Sequence, residues 1–228
     1  GIFTAHGIFY IQHSAELTAH GLTVIDADAN RLEDEIIESR RTLHQIPELG
    51  LELPKTVAFV REQLEAMGYT PEDCGPGGLV VTAGEGERTF LLRADMDGLP
   101  GVETADVPFR AKPGTAHLCG HDVHAAQLLG AAKILKELEE QLPGRVKLMF
   151  QPAEETAEGA KSMIAHGLLE DPDVDAAFAM HVMPTVSRGR VEYTRGVASA
   201  AMDVFFIDIY GRGTHGSMPE QGIDPLAI

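Results

Sequence analysis

The chain alternates between stretches where apolar residues recur every three or four positions and short stretches where they run almost unbroken. Leu32, Ile36, Ile37 and Leu43 mark one face of a helix that Asp28 or Asn30 can cap and that runs to about Ile46. Its acids come early and Arg40-Arg41 late, as a helix dipole prefers. Pro47 disfavours helical backbone at Ile46 and ends it. Pro54 suits the first turn of a second helix, striped by Val57, Val60, Leu64 and Met67 and stopped by Gly68. Residues 79–82 then predict a strand and residues 84–87 a turn. Residues 89–94 predict a second strand, whose apolar run suits a sheet covered on both faces. Residues 101–118 read as a loop rich in Gly, Pro and Thr. Ala125, Leu128, Leu129, Ala132, Leu135 and Leu138 repeat at helical spacing until Pro143-Gly144 breaks them. A strand follows at 146–150. Ala160, Met163, Ile164 and Leu168 then predict a helix closed by Gly167. Further strands are expected at 174–180, 190–193 and, long and β-rich, 202–210, with a short one at 8–11.

Strand–helix alternation from 79 to 181 predicts an α/β sheet. The texture changes near residue 197, and a domain boundary is placed near Ala198. Composition narrows the function. The 228 residues are ample for a core, and 44% hydrophobic with 23% charged residues is ordinary for a globular protein. A formal charge of −17 argues against nucleic acid or an anionic membrane as partner. No apolar run approaches the roughly 18–20 residues that span a bilayer. Residues 1–20 lack the basic and apolar regions of a signal peptide. Two cysteines, Cys74 and Cys119, make no disulfide framework and point to a reducing cytoplasm. The chain starts without Met and stops at Ile228 in what reads as a helix start, so a fragment is expected.

The candidate chemistry sits just past the expected strands. The strand at 89–94 delivers Asp95 and Asp97 at its C-terminal end, where open α/β sheets place their sites. Cys119-Gly120-His121-Asp122-Val123-His124 opens the helix at 125–138, and Gly120 allows the turn that points a thiolate and an imidazole into one cavity. The strand at 146–150 delivers Glu154-Glu155, and the strand at 174–180 delivers His181. Thiolate, imidazole and carboxylate form the donor set of zinc and its first-row neighbours. Adjacent glutamates in a loop point different ways, so one can hold a metal while the other takes a proton from an acidified water. A lone Cys-x-His is more often a buried thiol beside a helix start, and Glu-Glu more often a solvated pair; convergence on one sheet edge reverses that balance. The glycine-rich stretch 211–219 lacks the Gly-Lys-Ser/Thr of a phosphate loop. His6, His13 and His20 are scattered and read as solvated or packed.

Seven stretches carry a family resemblance: residues 44–50 (HQIPELG), 93–100 (RADMDGLP), 117–124 (HLCGHDVH), 150–155 (FQPAEE), Gly159-Ala160, His181 and 211–225. In order and at family-like spacing, they span about residues 31–228. The chain resembles the peptidase M20 metallohydrolases. Within them it is most similar to the N-acyl-amino-acid amidohydrolases, which include hippurate hydrolases, bacterial aminoacylases, N-acetyldiaminopimelate deacetylases and plant auxin-conjugate hydrolases. The resemblance implies a catalytic α/β domain with a central mixed sheet, interrupted by an α+β lid. Residues 1–30 would be an atypical leading segment, 31–197 the first part of the catalytic domain and 198–228 the start of the lid, through which the family forms homodimers. It also implies two divalent metals (Mn, Zn, Co or Ni) on Cys119, His121, Glu155 and His181, with Cys119 bridging. Glu154 is implied as general base and then acid, Asp97 as the residue that orients a metal ligand, and His215 as the lid histidine that polarises the scissile carbonyl. Asp95 stands where other branches carry a His ligand, and His124 fits the pattern with a structural role.

Two departures stand out. The family's usual Met-His-Ala-Cys is Ala116-His117-Leu118-Cys119 here. The family also supplies one more His ligand after the lid, and the chain ends before it, so the full-length protein is the expected enzyme and this piece is expected to turn over little. The expected reaction is hydrolysis of the amide of a small N-acyl amino acid. The alternatives are an M20-type dipeptidase or carboxypeptidase and a non-catalytic metal-binding fragment.

Overall fold

The computed structural model describes residues 29–187, 190–197, 200 and 205–227. The strand expected at 8–11, the histidines His6, His13 and His20, and the boundary near Ala198 lie outside them. The described residues divide into two compact units between Val191 and Glu192.

The first unit is built on a five-stranded mixed sheet. In chain order its elements are α1 (Glu33–His44), α2 (Pro54–Ala66), β1 (Glu72–Asp73), β2 (Leu79–Ala83), β3 (Thr89–Asp95), β4 (Leu99–Gly101), β5 (Gly114–Ala116), α3 (His121–Glu137), β6 (Arg145–Gln151), α4 (Gly159–Ala165) and β7 (Ala176–Ala179). Strand order is β1-β2-β6-β3-β7, with β4 and β5 paired separately. β6, β3 and β7 run parallel, and β2 joins β6 antiparallel. Parallel neighbours need crossovers, and α3 and α4 supply them. The first crossover steps from β3 to β6; the next returns past β3 to β7 on its other side. The connections therefore diverge at β3, and such a switch point opens a crevice at the carboxyl ends of the strands.

Each face of the sheet has its own core. Phe150, Leu148, Leu79, Val81 and Ala94 pack with Leu43, Leu64 and the Ala125–Leu129 face of α3. On the opposite side Leu91 and Met149 meet Met163 and Leu168 around α4. Burying each large apolar side chain is worth about 1.5–3 kcal/mol, enough to fix which strand ends face the crevice. Lys147 is buried on the α4 side, where its ammonium donates to the carbonyls of Leu168, Glu170 and Pro172 and ties down the loop after α4.

Several sequence expectations need correction. Backbone at 29–31 is helical, but Leu32 interrupts it and is the N-cap of α1, without a side-chain bond, in place of Asn30; Asp28 lies outside the described residues. The early acids Glu33, Asp34 and Glu35 complement the exposed amides instead. The loop at 101–118 contains β5 and meets β4 through register with Leu99–Gly101, a pairing that its Gly/Pro/Thr composition hides. The two-residue β1 was not expected. Residues 190–193 and 205–210 form no strand. Their β-branched and aromatic residues fit a pleated surface, but a strand needs a partner, and Phe206 is 90% exposed.

The second unit holds an isolated antiparallel bridge between Arg212 and Ile223 and a 3-10 turn at Pro219–Gln221. Phe205, Phe206, Ile207 and Tyr210 are exposed.

Candidate metal centre

The crevice collects one residue group from each parallel strand end and one from the start of α3. The register pairs Asp95 with Gln151 and Arg93 with Ala179, so Asp95, Glu154-Glu155 and His181 leave the sheet on one side. Gly120 turns the chain into α3 with a φ of +86°, a left-handed conformation that side-chain-bearing residues resist. A Cβ at Gly120 would also lie 2.4 Å from Cγ2 of Val182. Glycine thus lets the Cys119–His121 turn press against the segment after β7.

His121 is fully buried at the centre. Its Nε2 lies 3.6 Å from Asp95, 3.7 Å from Glu154 and 3.7 Å from Glu155. Neither ring nitrogen has a well-formed hydrogen bond. Leaving such atoms unpaired is costly, and an imidazole lone pair facing carboxylates is what a cation would satisfy. Burial works against a charged His121, but Asp97, Asp95 and Glu155 outweigh it and push its pKa up.

Asp97 organises the glutamates. One oxygen accepts the Glu154 amide at 3.0 Å and the other the Glu155 amide at 3.2 Å. The same carboxylate lies 3.4 Å from Nδ1 of His121. Ala153 bends the chain just before the pair with a φ of +48°. Behind it Gly159 presses so closely that a Cβ there would sit 1.6 Å from the carbonyl oxygen of Pro152.

The Cys119 sulfur lies 3.3 Å from Nε2 of His181. Nδ1 of His181 contacts the Val182 carbonyl at 2.7 Å. A carbonyl only accepts, so Nδ1 carries the proton and Nε2 presents its lone pair to the sulfur. Burial, then Glu155, Glu154 and Asp95, push the Cys119 thiol up to about 12. A thiol so placed keeps its proton until a cation displaces it.

Two donor groups have their ligand atoms within 4.8 Å of one another: Cys119 with His121 and His181, and His121 with Glu154 and Glu155. Asp95, His121 and His124 converge equally closely. There, however, both His124 nitrogens are engaged: Nδ1 lies 2.6 Å from Asp95, and Nε2 accepts the Val182 amide at 2.8 Å. The other Asp95 oxygen faces Arg93 at 2.8 Å. Burial opposes ionised Asp95, but the His124 bond and Arg93 outweigh it and hold its carboxyl below the usual range. Asp95 and His124 thus serve each other.

His215 lies in the second unit, exposed, where its Nδ1 contacts the Ser217 hydroxyl at 2.9 Å and the Ser217 amide at 3.3 Å. A buried network escaped the sequence reading: His44 contacts Asp122 at 2.7 Å and Glu103 at 3.0 Å. His117 nearby is buried with both nitrogens unpaired, and burial lowers its pKa to about 4. The only hint was that the motifs containing His44 and Asp122 both belong to the family pattern.

The profile of peptidase family M20/M25/M40 matches residues 91–218. An N-acetyl-L-cysteine deacetylase of Bacillus subtilis is 41% identical over 86% of this chain and 47% of its own length. An IAA-amino acid hydrolase (ILR1-like 4) of Arabidopsis thaliana is 42% identical over 88% of this chain and 46% of its own length. A solved dinuclear metal-binding peptidase of family M20 from Bacillus subtilis superposes with a TM-score of 0.65 at 36% identity, covering 68% of this chain and 44% of that one. The chain spans about half the length of these relatives.

Proposed function

The chain belongs to peptidase family M20/M25/M40, and on that premise we propose that the protein hydrolyses the amide bond of small N-acyl amino acids with divalent metal. One observation carries the reading: a thiol, an unpartnered buried imidazole and the Asp97-held glutamate pair meet at the carboxyl ends of parallel strands. Cys119, His121, Glu155 and His181 would hold the metal. The family resemblance implies Cys119 as the donor the two ions would share, and a thiolate suits that role because its sulfur carries more than one lone pair. The relative described as dinuclear supports a pair of ions.

Bound there, divalent metal would polarise the amide carbonyl and acidify a water. Glu154, with its side chain 38% exposed beside buried His121, can reach both solvent and substrate. It takes the proton of the attacking water and delivers it to the departing amine nitrogen. Glu155, pinned by the same aspartate, stays on the metal side. Ser217 takes up Nδ1 of His215 through its hydroxyl and amide, so Nε2 is the nitrogen that would face a carbonyl oxygen. The break between Val191 and Glu192 supports assigning 31–197 to a catalytic domain and 198–228 to the start of a lid, the element that would pair protomers. No helix among the described residues is long and apolar enough to cross a membrane.

The test is amine release from N-acetyl, N-benzoyl and indole-acyl amino acids, beside a dipeptide, with Mn²⁺ or Zn²⁺. Glu154→Gln should cut turnover about 10²–10⁴-fold with metal retained. A variant of normal rate would remove Glu154 from the proton transfer. Cleavage of the dipeptide alone would make the protein a dipeptidase.

A further inference from the structure

His124 comes three residues after His121 on the same helix, and its ring lies 4.6 Å from that of His181. Its bonds show what it does. The Val182 amide donates to Nε2, so the proton must be on Nδ1, where it is given to Asp95. Asp95 is held in turn by Arg93, whose Nε donates to Gln151 at 2.8 Å. The chain of contacts starts on β6, crosses β3 and α3, and ends on the backbone just past β7. Val182 is held at both polar atoms: its amide by His124, its carbonyl by His181 itself. Its side chain is seated over Gly120. The residue that fixes the direction of the His181 ring is therefore fixed by His124.

We propose that His124 is a positioning residue. Oriented by Asp95, it holds the Val182 peptide so that Nε2 of His181 meets the Cys119 sulfur. The inference rests on the reading of Cys119 and His181 as metal ligands. It explains why β7, an edge strand of four residues, can deliver a ligand accurately: the segment after it is anchored to the long helix α3. A ligand on an unanchored segment must be ordered anew by each ion, at a cost in affinity.

Amides separate the two ring nitrogens. Asparagine places its amide near Nδ1 and keeps the Asp95 bond; glutamine reaches towards Nε2 and can accept the Val182 amide. The readout is Co²⁺ titration of this chain, followed by the charge-transfer band of cobalt-bound thiolate, with circular dichroism as the check on folding. His124→Asn should weaken Co²⁺ binding about 10–100-fold, and His124→Gln should weaken it less. In a His181→Ala background, His124→Asn should cost nothing further, since the ligand it positions is gone. That cycle separates positioning from a general role in folding. Undiminished affinity in folded His124→Asn, or an equal loss in both backgrounds, would overturn the proposal. So would glutamine binding no better than asparagine. A wild-type chain with no cobalt–thiolate band would fail earlier, at the ligand reading itself.

Discussion

Asp97→Asn is the substitution that most directly tests the centre. Asp97 is 1% exposed, and its two oxygens each accept a backbone amide from the glutamate pair. Asparagine has nearly the same shape but only one acceptor oxygen, so one amide faces an NH₂ group and the other loses a charged acceptor. Stranding a buried donor costs about 1–3 kcal/mol, and weakening the second bond adds to it. The expected loss is about 2–4 kcal/mol. For a domain of this size that is about 4–16 °C in melting temperature. Glu154 and Glu155 leave their places together and His121 loses its neighbour, so metal affinity should fall about 10–100-fold. Thermal unfolding of the metal-free chain reads the first effect and calorimetric Zn²⁺ titration the second. A lower melting point with unchanged affinity would show that Asp97 supports the loop but not the ligands. No change in either would refute the account of the loop.

Other outcomes follow from the same geometry. Gly120→Ala must adopt a φ of +86° and push Val182 away from a 2.4 Å approach; a loss of about 2–4 kcal/mol is expected in thermal melts, and an unchanged melting point would contradict the packing. Metal affinity should rise with pH. Cys119, pushed up to about 12, is protonated across the neutral range and must release its proton to bind, giving about tenfold tighter binding per pH unit. A flat profile between about pH 6 and 8 would remove the thiolate from the ligand set. In the metal-free chain, the raised pKa of His121 contributes stability below its unfolded value of about 6.5 that is lost as pH rises through the folded one. Metal-free melts on a His121→Gln background should lack that component.

Local rules carried the helices and the inner strands. α2 announces itself by Pro54, a four-residue stripe and Gly68, and β3 and β6 by apolar runs buried from both sides. What was not legible depends on partners. β4 and β5 exist because three residues of each find a register. The stretch at 205–210 has strand-like residues and no strand pairing among the described residues. At the centre, ligand-type side chains after successive strands were legible because chain order and sheet topology coincide. The tautomers of His124 and His181, and the His44–Asp122–Glu103 network, were not. Each depends on an angle between residues far apart in sequence, which no spacing encodes.

The parallel pairing of β6, β3 and β7 also bears on how the centre comes into being. Residues 119–121, 154–155 and 181 become neighbours only once each crossover has closed and both ladders have zipped. Pairing across such separations is slow and late. The unfolded chain therefore offers an ion no comparable cage, and a bound ion acts almost wholly on the native side of the folding barrier. It lengthens the lifetime of the finished sheet while leaving the rate at which that sheet forms almost untouched.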